Sequence, residues 1–267
     1  MDFSFLSYAF ILRAYLAGIF VAVACSVLGV FLVLRKMSLV GDGLAHVSFG
    51  AIALGLFLGL TPFYVAVPVC LIGALLIWKI SERAGLFADT AIAIVSAFGV
   101  ASGVILASLS HGFNVDLMSY LFGSILAISP AETILSIILS LVIIVFVAVF
   151  YRRLFAMTFD EEFAKISGVK TGWLNAAIVM LTGLTVVISV RVVGTLLVSA
   201  FIVLPVVTAF GFSKSFKQTI LLAPIFSVLA VLIGITYSYF ADLPAGATIV
   251  MVNFFFLALS AGKRLFK

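Results

Sequence analysis

Charge is what this sequence has least of. Asp, Glu, Lys and Arg make up 9% of its 267 residues, against about 25% in ordinary soluble domains. Hydrophobic residues make up 65% and the mean hydropathy is +1.41. A water-soluble domain of this length is excluded, and uncharged runs of spanning length recur along the chain, so the expected class is an all-α polytopic membrane protein. The first run is not a cleavable signal peptide: it is too long, has no small-residue cleavage site, and further spans follow.

Other scarcities exclude other chemistries. The two cysteines, Cys25 and Cys70, sit inside separate apolar runs with no short spacing. They indicate neither CxxC redox chemistry nor a thiolate metal site, and read as packing residues. The two histidines, His46 and His111, lie far apart and form no HExxH element, which argues against a zinc hydrolase. No GxxxxGK[ST] is present, and Gly41-Asp42-Gly43 is not a phosphate loop, so the chain binds no nucleotide by that route. Basic residues nowhere cluster with interleaved aromatics, so nucleic acid is not an expected partner. No internal repeat supports an inverted-repeat secondary transporter.

What is present divides into about nine transmembrane helices, with eight as the alternative if one short segment does not cross. Met1–Arg13 is aromatic and weakly amphipathic and is expected at an interface. Ala14–Leu34 spans first, closed by Arg35 and Lys36. From Gly43 to Trp78 no acid, lysine or arginine occurs, and Thr61-Pro62 divides that run into spans two and three. Span four runs from Asp89 to about Leu109, followed by a polar turn holding His111 and Asn114. Asp116–Ile128 is short of a crossing and reads as a re-entrant or interfacial helix. Span five starts at Pro130 and Glu132 and ends at Tyr151-Arg152-Arg153. Beyond the polar stretch 155–172, Trp173–Val190 is span six, Arg191 marks a turn, and Val192–Phe210 is span seven, with Pro205 inside it. Thr219–Phe240 and Ala247–Gly262 complete the set. The whole of residues 1–267 reads as one transmembrane domain.

Orientation follows from lysine and arginine. With the Arg35-Lys36 loop in the cytoplasm, thirteen of the fifteen basic residues fall on cytoplasmic segments, and only Arg13 and Arg191 lie outside. The N-terminus is then outside and the C-terminus cytoplasmic. The external loops are so short that capture of a substrate is expected to need another protein.

Within this apolar chain, KMSLVGDGLAHVSFGA (Lys36–Ala51) carries an acid and a histidine four residues apart. On a helix Asp42 and His46 share one face, with Cβ atoms about 5–6 Å apart. Ionisable residues are costly inside a membrane and mark a path or site, and carboxylate and imidazole are both metal-ligand types. The competing reading makes Asp42 a helix N-cap and His46 a hydrogen-bonded core residue. Closely spaced glycines (41, 43, 50, 55 and 59 on span two, 99 and 103 on span four) suit close helix packing and place span two inside the bundle.

The polar stretch DEEFAKISGVKTG begins with Asp160, Glu161 and Glu162 and stops at Gly168. Acids favour a helix start and glycine a helix stop, so a short cytoplasmic helix is expected. Asp89 and Asp116 sit at helix starts, where capping competes with a transport role. His111, in an outer turn, competes between meeting incoming metal and plain solvation. Arg191 and Asp242 are candidates for contact with a delivery protein. Ser199 and Asn253 are expected to bond between helices.

Glu162-x-Ala164-x-x-x-Gly168 resembles the coupling-loop motif of ABC-transporter permeases. Leu32–Ala51, Asp89–Val95, Asp116–Ser129, Phe159–Val169 and Val193–Ala209, in that order, resemble the metal-ion permease family of ABC importers, which carries zinc, manganese or iron. DLMSYLFGS looks closest to the zinc-type members. The resemblance implies a non-enzymatic permease in the bacterial cytoplasmic membrane, powered by a cytoplasmic ATP-binding subunit that docks the Glu162–Gly168 helix. It also implies a permease homodimer, an extracytoplasmic metal-binding protein, and a metal path touched by Asp42 and His46. No cofactor is expected to be permanently bound; the divalent metal, with Zn²⁺ favoured over Mn²⁺ or Fe²⁺, is cargo. Two copies across a twofold axis would offer two carboxylates and two imidazoles, a set that suits four-coordinate zinc. The alternatives are a manganese or iron permease of the same family, and a gradient-driven carrier using Asp42 and His46 as a proton relay.

Overall fold

The computed structural model describes residues 8–83, 88–110, 115–124 and 128–265. His111, in the expected outer turn, lies outside the described residues. The described chain forms eleven α-helices and no strand: α1 Ala9–Leu34, α2 Val40–Phe57, α3 Pro62–Arg83, α4 Ala88–Leu109, α5 Val115–Phe122, α6 Pro130–Phe159, α7 Glu161–Ile166, α8 Thr171–Val193, α9 Val198–Phe212, α10 Phe216–Ala241 and α11 Ala245–Leu265. Among the described residues eight of these are long and apolar enough to cross a membrane. The expected span missing from this set is the seventh, α9, at 15 residues, about 22 Å at 1.5 Å per residue, short of a hydrocarbon core of about 30 Å. The helices expose many large apolar side chains, as on α6 (Ile134, Leu141, Val145, Val149), which suits a lipid-facing surface.

The seventh span is shorter than expected because α8 does not turn at Arg191. It continues to Val193, and Gly194 stops it at φ 89. The turn at 194–197 is fixed from outside: Thr195 N and Leu196 N donate to the carbonyls of Tyr120 and Leu121 at the end of α5, and Ser124 N donates to Arg191 O. The backbones approach so closely that a Cβ on Gly194 would lie 2.5 Å from Phe122 C. Thus α5, as expected, is a short helix, and it plugs against the break between α8 and α9. Residues 9–13, part of the segment expected at an interface, form the start of α1.

Helix ends explain two further boundaries. α6 starts with Pro130 at its first turn and a capping box in which Ser129 and Glu132 exchange side-chain and backbone hydrogen bonds. α1 ends in a Schellman-type turn: Lys36 adopts φ 58, its N donates to Val33 O, and Met37 N donates to Leu32 O.

Small residues set the position of α2. A Cβ on Gly50 would meet the Gly99 carbonyl of α4, and one on Gly99 would lie 2.8 Å from His46 O and from Val47 Cα. On the opposite side Ile202 of α9 fills the space over Gly41 of α2 and Gly29 of α1. Held between these neighbours and α3, α2 is buried over Val40–Ala53 at every position except Asp42 and His46.

Candidate metal path and coupling segment

Asp42 is the third residue of α2. The N-cap is Leu39, which gives no side-chain cap, and Asp42 caps nothing, so the structural reading of that acid as a cap fails. His46 Nε2 lies 3.5 Å from Asp42 Oδ2. The pair is half-open, with side chains 31% (His46) and 43% (Asp42) exposed, on a helix otherwise closed around it. The hydroxyl of Ser199 on α9 lies near the Asp42 carboxylate. Ser199 and Ile202 lie three apart, one turn along the same face of α9. The interlock of Ile202 with Gly41 therefore brings the hydroxyl to the carboxylate.

The 3.5 Å spacing matters for metal chemistry. Two donors bonded to one ion at about 2.0–2.2 Å and a tetrahedral angle stand about 3.3–3.6 Å apart. His46 Nε2 and Asp42 Oδ2 can therefore take one ion between them with little rotation of either side chain. Among the described residues no group of three or more His, Cys, Asp and Glu side chains converges, so one chain offers half of a four-coordinate set.

The segment expected to couple to an ATPase is built as a short helix between α6 and α8. Asp160 ends α6 and starts α7, and its carboxylate accepts from Phe163 N at 2.9 Å. Ala164 is fully buried beneath the helix, and Gly168 closes it at φ 82, with Val169 N returning to Ala164 O. Glu162 is exposed, as are Phe163 and Ile166, the latter by 86%. α7 therefore turns an apolar and acidic edge outward from the bundle.

Its neighbour Glu161 makes the inward contacts. Arg35 Nη2 donates to Glu161 Oε2 at 2.9 Å, Arg35 Nη1 donates to Asn175 Oδ1 on α8, and Asn175 Nδ2 donates to Glu161 Oε1 at 3.2 Å. Burial draws the Arg35 pKa below its usual range, and the Glu161 carboxylate acts in the opposite sense. Sequence reasoning used Arg35 only as an orientation marker. Nothing in the linear pattern links it to residues 126 and 140 positions away.

Of the remaining expected sites, Asp89 is exposed in the first turn of α4. Asp116 lies in the first turn of α5. Arg191 is not free for a delivery protein: its Nε donates to Glu132 Oε1 at 2.7 Å, and its guanidinium sits 4.1 Å from the Tyr120 ring centroid. Asp242 is exposed at the α10–α11 turn. Asn253 bonds to Ile249 O of its own helix rather than across helices.

Comparison with known proteins adds the following. The model of the ABC 3 transport family matches residues 7–263. The manganese transport system membrane protein MntC of Halalkalibacterium halodurans is 31% identical over 255 residues, which cover 96% of this chain and 87% of that protein. The high-affinity zinc uptake system membrane protein ZnuB of Haemophilus influenzae is 32% identical over 251 residues, 94% and 96% of the two chains. Among solved structures, PsaBC from Streptococcus pneumoniae in complex with Fab superposes with a TM-score of 0.85 at 30% identity, covering 96% of this chain and 92% of that one.

Proposed function

The chain belongs to the ABC 3 transport family, and from that premise we propose that it carries a divalent transition metal, zinc foremost, between two facing copies along a path lined by Asp42 and His46. It is the permease of a metal ABC importer of the plasma membrane; ATP hydrolysis belongs to a separate subunit, and a substrate-binding protein completes the system. This membership sets aside the gradient-driven carrier. The observation that carries the path assignment is the 3.5 Å acid–imidazole pair left open on a helix otherwise buried from Val40 to Ala53.

A second copy completes the chemistry. One chain contributes two donors, and a twofold axis beside α2 would bring a second Asp42 and His46 to the same ion. Two carboxylates would balance the double charge in a medium that otherwise penalises it. The absence of thiolates suits a site that must release its cargo. For zinc over manganese, the support is the tetrahedral donor spacing and the resemblance of DLMSYLFGS (Asp116–Ser124) to zinc-type permeases. The distribution of lysine and arginine supports an outside N-terminus and a cytoplasmic C-terminus. The exposed edge of Glu162, Phe163 and Ile166, set over buried Ala164 and closed by Gly168, supports α7 as the element that docks the ATPase.

The test is uptake of Zn²⁺, with Mn²⁺ and Fe²⁺ as competitors, by cells lacking other importers. His46→Ala and Asp42→Ala are each expected to reduce uptake by about tenfold or more, the loss of one ligand from a small set. Normal uptake at normal protein level would refute the path assignment. Mn²⁺ abolishing Zn²⁺ uptake at equal concentration would refute the zinc preference alone.

A further inference from the structure

We propose that Arg35 is the strut through which α7 moves the metal-carrying helix, with Glu161 and Asn175 as its two sockets. The inference rests on the permease reading above and names the residues that would relay ATPase motion to Asp42.

The structure supplies a continuous rigid route. α7 itself packs on α6 and α8, and among the described residues no other ion pair joins it to α1 or α2. The Arg35 side chain, 9% exposed, lies between α7 and α8 and holds both with a two-pronged fork. A guanidinium held at both prongs by fixed partners transmits displacement in a way that a single flexible contact does not. Asn175 bonds back to Glu161, so the three side chains form a closed ring.

From Arg35 the path to α2 is backbone. The Schellman-type turn ties Lys36 N to Val33 O and Met37 N to Leu32 O. Val40 N then donates to Met37 O, and Gly43 N to Leu39 O. Only Lys36–Leu39 separate Arg35, the C-cap of α1, from α2, and these bonds tie that short linker to both helices, so a push on Arg35 tilts the start of α2 rather than bending a loop. Asp42 lies in that first turn.

Room for the stroke is also present. Arg35, Met37, Glu161, Lys165 and Asn175 border a cavity of about 370 Å³. A packed interior would resist displacement because it is close to crystal density, and this partly open cleft lets the ring shift without compressing a core. Force can enter at the exposed apolar edge of Phe163 and Ile166 and leave at Asp42 through one buried cation.

Purified permease, ATPase subunit and binding protein are reconstituted in liposomes, and metal moved per ATP hydrolysed is measured per assembled complex. Arg35→Gln and Glu161→Gln are expected to keep ATPase co-purification while lowering metal moved per ATP by about tenfold, within the range of ordinary coupling energies. Arg35→Lys, which keeps the charge and loses the fork, should fall between Arg35→Gln and the parent. Should Arg35→Gln yield little protein, Glu161→Gln and Asn175→Ala carry the test. Variants that assemble and move metal per ATP as the parent does would overturn the proposal, even if their yields fall, because yield reports only a structural role. If the parent complex hydrolyses ATP but moves no metal, the permease reading fails instead.

Discussion

Removing Glu132 should uncouple the neighbouring ends of three helices, and the cost can be worked out from its contacts. Its Oε2 accepts from Ser129 N at 2.8 Å to complete the α6 capping box, and its Oε1 accepts from Arg191 Nε at 2.7 Å. Both side chains are largely withdrawn from solvent, 9% exposed for Glu132 and 19% for Arg191. Breaking a buried pair by deleting one partner costs about 3–5 kcal/mol. Arg191 keeps the Tyr120 ring face and a little solvent, so the lower figure of about 3 kcal/mol applies. Loss of the capping bond adds about 1 kcal/mol. Glu132→Ala should therefore cost about 4 kcal/mol, while Glu132→Gln, which keeps a neutral acceptor, should cost about 1–2 kcal/mol.

The chain carries its own reporter. Cys25 and Cys70 are fully buried and are the two thiols of the sequence, so a thiol-reactive fluorogenic dye reads unfolding without added probes. At roughly 2 °C per kcal/mol for a chain of this size, the midpoint should fall by about 8 °C for Glu132→Ala and about 3 °C for Glu132→Gln. Arg191→Ala combined with Glu132→Ala should destabilise by about 2 kcal/mol less than the sum of the single changes. Additive single changes, or a Glu132→Ala midpoint within about 2 °C of the parent, would show that the pair does not hold α6 to α8.

Gly99→Val should abolish recovery of folded protein on size-exclusion chromatography, since its Cβ would press on the α2 backbone at His46 and Val47, which cannot move aside. Gly262→Ala, which meets nothing within 4 Å, is the neutral control. Ile166→Asp places a charge on the most exposed apolar side chain of α7. It should abolish co-purification of the ATPase while leaving the thiol-dye melting midpoint unchanged; retained co-purification would move the docking surface elsewhere.

The features legible in the sequence are those written in local pattern. Long uncharged runs gave the helices, Thr61-Pro62 gave the α2–α3 turn, and Asp160 with Gly168 bounded α7. Asp42 and His46 were legible because an i, i+4 pair of ionisable residues stands out in an apolar run. The break at 194–197 was not legible. Arg191 looks like a turn marker, but its charge is absorbed by Glu132 and the helix continues until Gly194 can adopt φ 89. The division of labour between Glu161 and Glu162 was also hidden. Adjacent residues on a helix point about 100° apart, so one acid meets Arg35 while the other faces solvent, and only the position of the distant arginine decides which is which.

The two flanks of α2 differ in a way that bears on how a path could open. Against α4 the helices meet backbone on backbone at Gly50 and Gly99, with Ile92 over Gly43 and Phe49 over Gly103 filling the seam on either side. Sliding there would force carbonyls and Cα atoms past one another. Against α9 the contact is an isoleucine tip over Gly41 and one hydroxyl near Asp42. An isoleucine can change rotamer, and a hydroxyl can be replaced by water or by a metal ligand. A tilt of α2 driven from Arg35 therefore costs least if α4 moves with α2 and the α2–α9 face shears. That is the face that carries Asp42, so the motion that loosens the packing also changes the coordination of the ion.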